Sequence, residues 1–489
     1  MTDSPKTVRM EPGPWREGFA TETGPDLLRP PEDARALEGE PFDVAREAPE
    51  ADFLPYPDLV NPLNPDPRNW SIWGRGSIGS DGRHLSAVGD HDGPNGEVFF
   101  FECDAKRKAV RRVFSFQSLM GHRPGDWGFG KLHGRLDADA EGWVYFAGYW
   151  GQPPENGGLE HQIALQMAHS KRDILEMLRT GKTGANLNER YPGGAIARFH
   201  PRRQIAEVLG VPVKGFSWPM HATDTGRGLM YLLGTDNSFA CFDLRTRTLR
   251  FHGSQDIQHG LRGLLVDRRD GQAFFSADVD DRIVLARYDA ASNAVSLTSA
   301  VLPFAPKAPP AAGAPVDEDE GRITAPKRQS LRAATETRAR DGWFYAMTAA
   351  LSGPRLFKFD PKTERVDDLG FNFASGGYTT SIALSPGGRY LYFVPCAHGT
   401  AWKLGAPVVQ YDTETRTRKV IAFLEGVIER KHGWWLGGAF GADLSPDGST
   451  LWLPFNANRA RETRSKRKDQ AFGRPALVVV RIPESERRE

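Results

Sequence analysis

An all-β fold of seven four-stranded antiparallel blades, set in a ring as a β-propeller, follows from three features of the sequence. Seven glycine turns recur along the chain: SDGR, DAEGW, TGRGL, RRDGQ, ARDGW, SPGGR and SPDGS. Each is followed by an apolar run, among them HLSAV, WVYFAG, LMYLLG and TLWLPF. Between them stands a second landmark, usually an aromatic residue and then an aspartate. It supplies Asp104, Asp243, Asp289, Asp360 and Asp412, with His200-Pro201 in its place once. Asp-Gly and Gly-Gly pairs between apolar runs mark hairpins, because these residues accept the positive φ that primed turns need. A four-stranded unit recurring at about 40 to 50 residues has the period of a propeller blade.

Taken in order, residues 1–69 form an N-terminal extension and 70–485 the propeller. The seventh repeat, GADLSPDGSTLWLPF and then ALVVVRIPE, runs out after its third strand. A segment within residues 37–62 is expected to supply the missing outer strand and close the ring, which leaves no sheet edge exposed at the seam. An insertion at 151–190 in blade 2 contains Leu159, Ile163, Met167, Ile174 and Leu178 at helical spacing, an apolar stripe on one face. Residues 304–330, rich in Pro and Ala with the acidic run VDEDEG, read as a flexible loop.

The blade landmarks LSPGGRYLYFVP and LSPDGSTLWLPF give a resemblance over residues 70–485. The chain resembles the broad group of seven-bladed propellers that includes gluconolactonase-like, YVTN-repeat and virginiamycin-B-lyase-like proteins. That resemblance implies a fold and leaves the reaction open.

Composition narrows the partners. With 63 basic and 62 acidic side chains the net charge is +1, so no bulk attraction to nucleic acid or membrane is expected. The basic run RARETRSKRK at 459–468 lacks interleaved aromatics and reads as a solvated loop. Three scattered cysteines, Cys103, Cys241 and Cys396, make neither a disulfide framework nor a C-x-x-C pair. The sequence as given opens without an apolar leader and holds no run of membrane-helix length, so the expected location is the cytoplasm. GDWGFGKL nearly matches a phosphate loop but lacks the Ser/Thr and leads into a strand, and G-x-S-x-G is absent. No nucleotide cofactor is expected.

Blade topology says where a site belongs. The turns between first and second and between third and fourth strands are short; the connections on the opposite face are long, and long loops on one face usually present a site. His133 and His221 stand at the leading end of first strands on that face. Both are expected to point at the central channel by period-two alternation. They are the candidate general bases, imidazole being suited to proton removal near neutral pH. Arg75, Arg135 and Arg262 are the candidate anion holders, since a guanidinium fork matches a carboxylate or phosphate. Glu336 is the acidic counterpart at similar depth. His133, His221, His259 and His398 form the candidate ligand set for one divalent metal ion.

Two classes of function follow. One is a lyase or hydrolase acting on a small anionic substrate, carboxylated and of saccharide or lactone type, at the channel mouth. The other is a non-catalytic propeller binding a protein or glycan through the loop-rich face, with Trp434, Trp435 and the basic loop as contacts.

Overall fold

Seven small antiparallel sheets stand in a ring, each with its first strand innermost. The computed structural model describes residues 7–31, 41–64, 70–93, 95–126, 128–149, 193–260, 262–280, 282–303, 330–349, 354–373, 377–459 and 470–489. The helix expected within 151–190, nearly all of the 304–330 loop and all but the first residue of the basic run lie outside the described residues. The innermost strands are Ser77–Ile78, Asp137–Ala138, Met220–Asp224, Leu265–Asp267, Leu331–Ala334, Ala383–Leu384 and Asp443–Leu444.

Both sequence landmarks have backbone causes. A glycine closes each of the seven inner turns with positive φ, as at Gly142 (92°) and Gly388 (82°), where a side chain would be strained. The recurring aspartate accepts the amides of the next turn. Asp243 Oδ1 takes Arg245 N and Thr246 N, both at 2.9 Å, and Asp412 Oδ1 takes Glu414 N at 2.9 Å. In blade 2 the substitute does the same work less well: His200 Nδ1 accepts from Arg203 N at 3.3 Å.

Seven hydrophobic layers fill the seven gaps between neighbouring blades. The layer between blades 7 and 1 packs Trp452, Leu477 and Val479 against Trp70, Phe99 and Val110, so the ring is closed. Closure depends on the N-terminus. Glu50–Pro55 pairs antiparallel with Ala476–Arg481 as the fourth strand of blade 7, from Pro55 against Ala476 to Glu50 against Arg481. Asp52, 1% exposed, anchors this seam. Its carboxylate takes Arg481 Nη2 at 2.7 Å, Thr21 Oγ1 at 2.7 Å and Lys108 Nζ at 3.1 Å. Burial works against its charge, yet those donors hold its pKa below the usual carboxylate range.

The rest of the extension is a belt. Thr7–Arg9 adds to the outer strand of blade 2, Arg16–Glu17 to that of blade 1, and Ala20–Glu22 to Glu50–Pro55. Asp43–Val44 then lies parallel to the outer strand of blade 6. Along the way Trp15 stacks under the guanidiniums of Arg83, Arg107 and Arg111. The three cysteines are free thiols. Among the described residues no helix is long and apolar enough to cross a membrane.

Phe53, 3% exposed in the closing strand, packs on Trp434 and His432. Phe53→Ala is expected to cost about 3–5 kcal/mol in denaturant unfolding. Arg16→Ala, on the exposed belt, should change stability by less than about 0.5 kcal/mol.

Candidate functional site at the channel mouth

Because each blade sends its first strand to the axis, side chains distant in sequence meet there in layers. A cavity of about 30 Å³ occupies the axis, lined from all seven blades, by Trp73, His133, Met220, Leu264, Arg332, Thr380 and Phe440 among others. It has room for little more than a water molecule.

Below this cavity, toward the short turns, lies a balanced charge layer. Arg75 Nε meets Asp443 Oδ1 at 2.7 Å and its Nη1 meets Glu336 Oε1 at 2.7 Å. Arg135 Nη2 meets Asp137 Oδ1 at 2.6 Å, and Arg268 Nη2 reaches the same oxygen at 2.8 Å. Three guanidiniums thus face three carboxylates. Burial opposes ionisation of Asp137 and Glu336, but the arginines outweigh it and hold both pKa values low, Glu336 far below its ordinary value. His84 buttresses the layer, its Nε2 2.9 Å from Asp443 Oδ2 and its ring stacked on Trp452. Arg75 and Arg135, expected to hold a substrate anion, therefore have their charge met by protein carboxylates.

Above the cavity, on the loop-rich side, the layer is cationic. Arg332 leads the first strand of blade 5 and is 3% exposed. Its Nε donates to Tyr378 Oη at 2.6 Å and its Nη1 to the Arg262 carbonyl at 3.1 Å. Arg262 lies half-buried beside Tyr378 and Tyr149. Neither guanidinium makes an ion pair with a carboxylate among the described residues. Lys131 sets Nζ 4.1 Å above the Trp73 ring, and burial, then Arg262, pushes its pKa well down.

His133 sits inside this layer, stacked on Trp73 with centroids 5.5 Å apart and edge-on to Tyr149 at 5.2 Å. Both ring nitrogens are buried and have no hydrogen-bond partner among the described residues. Burial first, then Arg262, Lys131, Arg332 and His91, holds its pKa well below 6.5, so the imidazole is neutral. A neutral imidazole with a free lone pair beside two guanidiniums is equipped to accept a proton next to a bound anion.

The structure corrects the expectation for His221. Met220 and Ala222 line the cavity; His221, on the opposite face of the same strand, packs against the Gly134 backbone and accepts Ala147 N on Nε2 at 3.3 Å. Counting back from the glycine turns misled because those turns differ in length. Five residues separate the paired Ala138 and Val144 in blade 2, and four separate Asp224 and Leu229 in blade 3. One residue of difference reverses the face of every side chain.

The expected metal set does not assemble either. His398 joins the aromatic cluster, 5.9 Å from Trp73, and His259 lies 3.9 Å from Asp278 on its own blade. Among the described residues no three His, Cys, Asp or Glu side chains gather as a ligand group. Lys131, Arg332, Tyr149 and Tyr378 were missed by sequence reasoning; the available signal was a single arginine in the small apolar run SLRAA at the start of a first strand.

No family model matches the chain, and no curated protein matches it. Among solved structures it is similar to a chain titled as part of a mitotic checkpoint complex, at 9% identity and TM-score 0.47, covering 92% of this chain and 98% of that one. It is also similar to a protein from Lactobacillus plantarum (12%, TM-score 0.39, 54% and 72% covered). A third is TolB from Acinetobacter baumannii (11%, TM-score 0.34, 79% and 78%).

Burial lowers the pKa of His221 from 6.5 to about 4. The unfolded chain takes up this proton near 6.5 and the folded chain resists it, so the stability is intact above pH 6.5 and lost as pH falls toward 4. The loss amounts to about 3 kcal/mol. His221→Gln should flatten that part of the stability–pH curve, measured by denaturation at each pH.

Proposed function

We propose that the protein is an enzyme of the lyase or hydrolase class that takes a small carboxylated substrate, of saccharide or lactone type, at the loop-rich mouth of its channel. One observation carries the reading: two guanidiniums, Arg262 and Arg332, converge on Tyr378 without a carboxylate partner among the described residues, next to the unpartnered nitrogens of His133. Burying charge without compensation costs several kcal/mol, which an anionic ligand offsets. In this role Arg262 and Arg332 bind the substrate carboxylate and stabilise the enolate-like charge that grows as the adjacent C–H is removed. His133 accepts that proton. The stacked face of Trp73 and Phe472, 5.7 Å apart at 16°, backs the site with apolar surface.

A second reading has its own observation. Trp402 and Trp435, both part-exposed on the loop-rich side, stack at 4.8 Å and 9°, a surface a protein or glycan partner could cover. In that reading the propeller is a scaffold, and Trp434, being buried, is no contact.

D-galacturonate and its neutral counterpart D-galactose separate the readings by calorimetry. Galacturonate should bind and galactose should not. Arg332→Gln should weaken galacturonate about 10- to 100-fold, the worth of one charge-assisted hydrogen bond. His133→Ala should leave that affinity within a few-fold while abolishing turnover of a galacturonate oligomer, followed as formation of unsaturated product. Equal binding of the two sugars, or indifference to Arg332→Gln in a folded variant, would sink the enzyme reading. Sensitivity confined to Trp435→Ala would favour the scaffold.

A further inference from the structure

The cationic layer raises a question that the proposed function does not answer: what balances it before a ligand arrives. Tyr378 is 2% exposed, and its hydroxyl oxygen receives Arg332 Nε at 2.6 Å, a short contact for a nitrogen donor. Arg332 also places its guanidinium carbon 5.3 Å from the centroid of the Tyr378 ring. The groups facing the phenol from the elements packed around it are Arg332 from blade 5, Arg262 from the loop before blade 4 and His398 from blade 6, whose ring lies 6.1 Å away. Beyond Arg262 stand Lys131 and His133 of blade 2. Every one of these is cationic or neutral.

We infer that the phenolic oxygen of Tyr378 is the resident counter-ion of Arg262 and Arg332, and that an arriving anion displaces it from that role by leaving it to take up a proton. This inference rests on the anion-binding reading of the site. The exchange balances: phenolate, proton and free anion become a neutral phenol and an anion held by the guanidiniums, with one proton drawn from solvent. Tyr149 gives an internal contrast. It too stands beside Arg262, but its pKa lies above the ordinary tyrosine value while that of Tyr378 lies below it. The consequence is a carboxylate site whose affinity falls as pH rises through the Tyr378 titration, since each binding event must then import a proton. A neutral phenol is left beside the bound substrate, where it can donate to a leaving oxygen.

The experiment uses the wild-type full-length chain with galacturonate, an anion of fixed charge above about pH 6, since carboxylates titrate near pH 4. Calorimetry in buffers of different ionisation enthalpy counts protons taken up per anion bound. As pH is raised from neutrality toward the ordinary tyrosine value near 10, the count should rise toward one, and the ultraviolet phenolate absorbance should drop as galacturonate is added. Tyr378→Phe should bind with no proton uptake and no absorbance change. If galacturonate binds the wild type with a proton count of zero across that range, the inference is overturned and the anion site stands. If galacturonate does not bind at all, both are overturned. Should Tyr378→Phe fail to fold, the two wild-type readouts still decide.

Discussion

Everything at the axis depends on the ring being closed, and the closure rests on one strand pairing between the two ends of the chain. Without Glu50–Pro55 against Ala476–Arg481, blade 7 has no outer strand and the layer joining it to blade 1 loses Leu54. With it, seven equivalent interfaces are satisfied, and the positions just ahead of each first strand are brought to a common point. That is why Arg262, Arg332 and Tyr378, 70 and 46 residues apart in succession, meet within hydrogen-bond distance. The belt of short strands on blades 2, 1, 7 and 6 lies across that seam and ties its neighbours together.

The axis then divides into two electrostatic layers of opposite design. In the lower one each arginine finds a carboxylate within 2.8 Å, and the charges largely cancel. Such a network fixes its members in place at little net gain in stability, because desolvation offsets most of the attraction. In the upper layer cations approach cations, and what separates them is aromatic: Trp73 under Lys131, Tyr378 under Arg332, Tyr149 beside Arg262. Aromatic faces attract cations without neutralising them. The lower layer is thus held by ion pairs and the upper one by aromatic rings.

The sequence revealed the fold through residues whose backbone role is local. A glycine at positive φ and an aspartate capping the next turn are required wherever a blade turns, so they recur and can be counted. The site was only half legible, because it depends on which way side chains point. His133 does line the channel; His221 does not, since its turn is one residue shorter and its strand face is inverted. Arg75 and Arg135 were expected at the axis, but their partners Asp137 and Asp443, in LDADAEG and ADLSPDG, were not singled out. Tyr378 carries no marker at all in GGYTTS; only the ring brings it to Arg332.

The neutrality of His133 follows from its burial and from the basic groups gathered around it. Burial and four neighbouring basic groups disfavour the imidazolium, so the ring keeps its lone pair. The layer beneath differs in kind, because there each arginine already faces a carboxylate.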